Sequence, residues 1–289
     1  MIHQTIPLTD DRVLGFALYG PVQGRPVLYF HGTPSSRLEP CLLEVYGVNL
    51  DALLLKANIR LIAVDRPGMG LSTFNRHGNF LSFTKDVRQL LHYMHIDQCD
   101  VLCWSGGGPY ALAMAHQYPQ IIGKVSIICG FTRTFAQDVL DQMGMNKWYF
   151  HFAIHTPWLL KSALRILSRQ NIHTIPPQWI TGLPYVDYRM LNTLPRFRSL
   201  ARYTMKEACS NGAKGPVHEA RSYFGDFGFD VSAIRQPVHY WWGTSDMTVI
   251  RLHAEAIENK AQHPVMHFRE KECHLSLYVN CMQEVIGTL

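Results

Sequence analysis

This sequence predicts an α/β fold: a mostly parallel, doubly wound sheet flanked by helices, with a helical insertion. Three observations predict it. Residues 1–130 alternate short apolar runs with stretches of helical spacing, the rhythm of strands joined by crossover helices. Residues 131–235 lose every clear strand signal and carry proline stops instead. The alternation then resumes over residues 236–289. The expected organisation is a core domain of residues 1–130 and 236–289, interrupted by a helical cap of residues 131–235.

Taken in order, residues 13–19 read as a strand ending at Gly20-Pro21, and residues 26–30 as a short apolar strand entering His31-Gly32-Thr33-Pro34. A helical stretch over 42–56 leads to a strand over 59–65. Residues 80–94 have helical spacing, with Phe83, Val87, Leu90, Leu91 and Met94 on one side. A strand over 100–104, a helix over 109–117 and a strand over 124–129 complete the first part. The insertion shows helix-like pieces between Pro157, Pro176-Pro177, Pro184, Pro195 and Pro216. After it come a strand over 237–242, a helix over 249–259, a strand over 264–268 and a closing helix over 275–286.

Composition bounds the function. With 47% hydrophobic and 17% charged residues, the chain can bury a sizeable core and is not disordered. The net charge of +5 is uneven: thirteen Lys and Arg face seven Asp and Glu over residues 131–235, and fourteen face fifteen elsewhere. A solvated basic face is the first meaning of that excess; attraction to an anionic substrate or a membrane surface is the alternative. No basic-aromatic pattern points to nucleic acid. No apolar run approaches the roughly 18 residues that span a bilayer, so stable membrane insertion is not expected. The start lacks a basic, then apolar, signal segment, and the seven cysteines are scattered with no C-x-x-C pair. Reduced thiols in a cytoplasmic protein are the expectation. His151 and His155 stand four apart on a helical piece, but no third ligand accompanies them, so no metal and no cofactor is expected.

The chemistry concentrates at Cys103-Trp104-Ser105-Gly106-Gly107-Gly108-Pro109-Tyr110. A serine among small residues, where a strand turns into a helix, reads as a nucleophile elbow, a strained turn that lifts the hydroxyl off the sheet. A serine needs a base within hydrogen-bond reach, and the base needs an orienting acid. Ligands in such sheets bind at the carboxyl ends of the strands. There, Gly243-Thr244-Ser245-Asp246 offers Asp246, and the turn from Arg269 to His274 offers His274. The turn after Cys129 offers no acid.

The order Ser105, Asp246, His274 on this architecture resembles the α/β-hydrolase superfamily, on its esterase, peptidase and cofactor-free haloperoxidase side. Further markers are His31-Gly32-Thr33-Pro34 and Asp65-Arg66-Pro67-Gly68-Met69-Gly70-Leu71-Ser72. The resemblance implies Ser105 as nucleophile, His274 as base, Asp246 as its orienting acid, and the backbone N–H groups of Thr33 and Gly106 as oxyanion donors. Cys103 stands where the family's elbow has glycine, and reads as a buried thiol packed beneath the turn. His31, Arg37 and Arg66 read as braces of the loops. The expected activity is hydrolysis of a carboxylic ester, lactone or thioester of a small, largely apolar molecule. Amide or peptide cleavage, haloperoxidation, or ligand binding without turnover are the alternatives.

Overall fold

The structure is a computed structural model that describes residues 1–169 and 183–289. Eight strands form one sheet in the order β1-β2-β4-β3-β5-β6-β7-β8. They are β1 Ile2–Pro7, β2 Val13–Tyr19, β3 Arg25–Phe30, β4 Ile59–Val64, β5 Cys99–Trp104, β6 Ile122–Ile128, β7 Val238–Gly243 and β8 Pro264–Arg269. β1 pairs with β2 and β2 with β4 antiparallel; every other pair is parallel. The last four residues of β3, β4, β5, β6 and β7 are all buried. Runs such as Val27-Leu28-Tyr29-Phe30 are apolar on both faces because helices cover both faces of the sheet.

The ladder passes straight from β6 to β7, Ile128 opposite Trp241, although more than a hundred residues separate them in sequence. Among the described residues in between there is no strand. The sheet is therefore continuous across the helical segment, which leaves the carboxyl end of β6 and returns to the amino end of the parallel neighbour β7.

The helices follow local signals. α1 is Leu42–Val45 and α2 is Leu50–Lys56. The expected single helix over 42–56 is broken because Gly47 takes φ +85° and Asn49 starts a new helix, its side chain accepting the Ala52 N–H at 2.9 Å. α3, Phe80–Tyr93, begins with a reciprocal cap between Asn79 and Ser82 and buries Phe80, Phe83, Val87, Leu90 and Leu91. α4, Gly108–Gln117, leaves the β5 turn and is buried over its first eight residues.

The segment 131–235 contains α5 Gln137–Gln142, α6 Lys147–His155, α7 Pro157–Arg169, α8 Tyr185–Leu191, α9 Leu194–Ala201, a π-helical turn Arg202–Lys206, and α10 Lys214–Ser222. Pro176-Pro177 and Trp179 lie outside the described residues. α11 is Arg251–Lys260. The expected closing helix is two, α12 His274–Asn280 and α13 Met282–Thr288, meeting at Cys281.

One further finding differs from expectation. β1 was not legible: only Ile6 of its six residues is buried, and pairing with β2, rather than an apolar face, holds it. The aromatic residues of the helical segment divide between interior and surface. Phe150, Tyr223 and Phe227 are buried, but Trp148, Trp158 and Tyr185 are 45%, 69% and 71% exposed. α6 and α7 turn one face inward, through Phe150, Ala153, Leu160 and Leu164, and leave Trp148 and Trp158 on their exposed sides.

Candidate active site

Four carboxyl strand ends meet at one place. β5 runs directly into Ser105, which has φ +54° and is 5% exposed. That left-handed backbone is costly for a non-glycine residue and turns the chain from strand to helix within one residue. The helix must then start against its neighbours. A Cβ on Gly107 would lie 2.3 Å from the Phe30 carbonyl oxygen, and one on Gly106 would lie 2.5 Å from the Tyr223 hydroxyl and 2.8 Å from the Thr33 side chain. Small residues after Ser105 are therefore a packing requirement. Cys103 is fully buried beneath this turn, and burial drives its thiol pKa far above the ordinary value, so it is no thiolate.

β7 ends in a turn that delivers Asp246. Its Oδ1 accepts the N–H groups of Thr248 and Val249 at 2.7 and 2.9 Å, and its Oδ2 faces His274 Nδ1 at 2.9 Å. His274 follows β8 and opens α12; its Nε2 is 3.0 Å from Ser105 Oγ. The carboxylate accepts, so Nδ1 carries the proton and Nε2 is left to accept the Ser105 hydroxyl. Trp104 stacks on the His274 ring at 5.0 Å and on Tyr278 at 4.5 Å, fixing the plane of the imidazole. Burial disfavours the imidazolium, but the attraction of Asp246 and its hydrogen bond outweigh it, and the His274 pKa lies above the usual value.

β3 leads into the loop His31-Gly32-Thr33, which faces the start of α4. His31 is fully buried, its Nδ1 2.9 Å from the Gly32 carbonyl oxygen, and burial holds it well below the usual histidine range. Arg66 donates to the His31 and Gly32 carbonyls and pairs with Glu219 at 2.7 Å. Arg37 pairs with Asp65 at 2.8 Å and Glu207 at 2.7 Å. All three residues brace loops.

Three site residues were not legible in sequence. Glu39, fully buried, accepts the Gly32 N–H with both oxygens at 2.8 and 2.9 Å and the Tyr29 hydroxyl at 2.6 Å. Burial pushes its pKa up to about 7 against these hydrogen bonds. Asp187, on α8, is 4% exposed and accepts the N–H groups of Leu275 and Ser276 at 3.1 and 2.9 Å, at the first turn of the helix that carries His274. Cys129, at φ +38°, places its sulfur within 4.8 Å of the nearest Asp246 and His274 ligand atoms. Burial raises that thiol, so it stands as a neutral neighbour of the pair. Glu39 lies eight residues after His31 in a polar loop, and Asp187 lies in another helix altogether; neither carries a local motif.

A cavity of about 320 Å³ opens above Ser105 and His274, lined by the Gly32–Thr33 loop on one side and by Tyr149, Phe150, Asp187, Leu191 and Leu200 on the other. Its walls are mainly apolar, as small-molecule pockets are.

The family model for the alpha/beta hydrolase fold matches residues 25–279. The chain belongs to that family. It is 29% identical over 136 residues to a serine hydrolase-like protein of Danio rerio, covering 45% of this chain and 39% of that protein. It is 29% identical over 125 residues to a poly(3-hydroxyalkanoate) depolymerase of Ectopseudomonas oleovorans, covering 43% and 41%. The chain thus spans less than two thirds of the length of these curated relatives. Among solved structures, the thermophilic esterase of Thermogutta terrifontis superposes with TM-score 0.69 at 16% identity, covering 100% of this chain and 96% of that one. A bromoperoxidase of Bacillus anthracis superposes with TM-score 0.71 at 18% identity, covering 99% and 100%. At such identities the chain shares the fold with these proteins, and chemistry is argued from the site. No helix among the described residues is long and apolar enough to cross a membrane.

Proposed function

We propose that this hydrolase cleaves a carboxylic ester of a small, largely apolar molecule through an acyl-enzyme at Ser105. The observation that carries the reading is the hydrogen-bonded chain Ser105–His274–Asp246, at 3.0 and 2.9 Å, on the floor of an apolar cavity. In the forward step His274 Nε2 takes the hydroxyl proton as Ser105 Oγ attacks the ester carbonyl. The imidazolium, stabilised by Asp246, then gives that proton to the leaving alkoxide. Water repeats the sequence on the acyl-enzyme. The N–H groups of Thr33 and Gly106 receive the developing oxyanion, and α4, which starts beyond Ser105, adds its positive end. Residues 131–235 act as the cap that closes the cavity and shapes the acyl or alkyl site. Lactones and thioesters fit the same sequence of steps.

A fluorophosphonate probe tests the reading. It is expected to label Ser105, with labelling lost in Ser105→Ala and His274→Ala, and nitrophenyl esters are expected to turn over. Folded protein that neither labels nor hydrolyses any ester would leave a binding protein. Peptide or amide turnover faster than every ester would reassign the substrate.

A further inference from the structure

We propose that the cavity rejects negatively charged substrates and that Asp187 sets this preference, so that the part of the ester filling the cavity carries no anionic group. The proposal rests on the reading of Ser105 as nucleophile and narrows its substrate class.

The basic excess of residues 131–235 suggests the opposite, but it does not reach the site. Glu39 and Asp187 line the cavity, and no Lys or Arg does so among the described residues. Residues 170–182 contain no Lys, Arg, Asp or Glu, so they bring no such charge wherever they lie. Arg165, Arg169, Arg189, Arg196, Arg202 and Lys206 are all solvent-exposed.

Asp187 is buried, and backbone amides rather than a basic side chain hold its two oxygens. Burial pushes the Asp187 pKa up from the ordinary carboxylate value, and the two N–H dipoles oppose that rise without cancelling the charge. A substrate carboxylate would shed its water into an apolar pocket and meet Asp187 with no Lys or Arg among the described lining residues to offset either cost. A substrate ammonium loses its water too, but gains attraction to Asp187. A neutral chain incurs neither charge-desolvation cost nor repulsion. The expected ranking is neutral first, ammonium second, carboxylate last.

Three esters of similar length test this on the full chain: nitrophenyl heptanoate, nitrophenyl ω-aminohexanoate and mono-nitrophenyl adipate, assayed at about pH 8 where amine and acid are both charged. The adipate ester is expected to have kcat/KM on the order of 100-fold below the heptanoate, with the ammonium ester between them. In Asp187→Asn the ratio of ammonium to carboxylate ester is expected to shrink about tenfold. Each ratio is taken within one protein, so a loss common to all substrates cancels. Asp187→Ser, which keeps a hydrogen-bond acceptor, serves if the Asn variant does not fold. Adipate turnover equal to that of heptanoate would overturn the proposal. So would equal slowing of both charged esters with a ratio that Asp187 variants leave unmoved. Absence of heptanoate turnover together with absence of fluorophosphonate labelling would instead sink the esterase reading itself.

Discussion

Ser105 and Gly106 show how tightly the site is set by single atoms. The left-handed Ser105 aims its hydroxyl at His274, and Gly106 leaves no room for a side chain between Thr33 and Tyr223. Gly106→Ala is expected to push Thr33 away and lower kcat on the order of 100-fold while circular dichroism stays native; kcat within about twofold of wild type would remove Gly106 from the oxyanion site. Asp246→Asn is expected to lower kcat strongly and to move the acid limb of the pH–rate profile down, because the carboxylate is what raises His274. Glu39 makes a separate prediction. Its pKa rises from an ordinary 4.5 to about 7 on folding, so the folded state prefers it protonated. The stability this contributes is complete below about pH 4.5 and is lost as pH rises through about 7. Urea unfolding at several pH values should show wild type losing a few kcal/mol over that window relative to Glu39→Gln. Parallel curves for the two proteins would refute it.

At the scale of elements, α12 presents His274 at its first residue, and α8 holds that end through Asp187. Asp187→Ala strands two buried N–H groups and is expected to cost about 2–4 kcal/mol of stability. It should also lower kcat for neutral esters about tenfold by loosening His274. Unchanged kcat beside reduced stability would make the contact structural only. Strands and most helices were legible because their signals are local: apolar runs for β3 to β7, a 3.6-residue apolar stripe for α3, glycines after Ser105. β1 and the breaks at Gly47 and Cys281 were not legible, since pairing partners and turn geometry decide them.

At the scale of the molecule, two ion pairs tie the core to the helical segment: Arg66 with Glu219, buried on both sides, and Arg37 with the part-exposed Glu207. Arg66 also holds the His31 and Gly32 carbonyls, so the loop after β3 and α10 share one anchor. Removing one member leaves a buried charge unpaired. Arg66→Met is expected to cost about 3–5 kcal/mol in urea unfolding, and Arg66→Met with Glu219→Leu less than Arg66→Met alone. A double variant as unstable as the sum of the two single variants would show that the pair does not couple. Seven cysteines are all free and buried, so these ties do not depend on disulfides.

The sequence by itself determined the parallel sheet, the helical interruption, and the strand-end turns that carry Ser105, Asp246 and His274, because turn chemistry and periodicity are written in neighbouring residues. Only the tertiary structure decided which charges face the cavity. Composition counted the basic excess of residues 131–235 but could not say that it points outward, nor that Glu39 and Asp187 point in. That outcome depends on contacts between residues far apart in the chain, where burial and hydrogen bonding, not sequence spacing, set the cost of each charge.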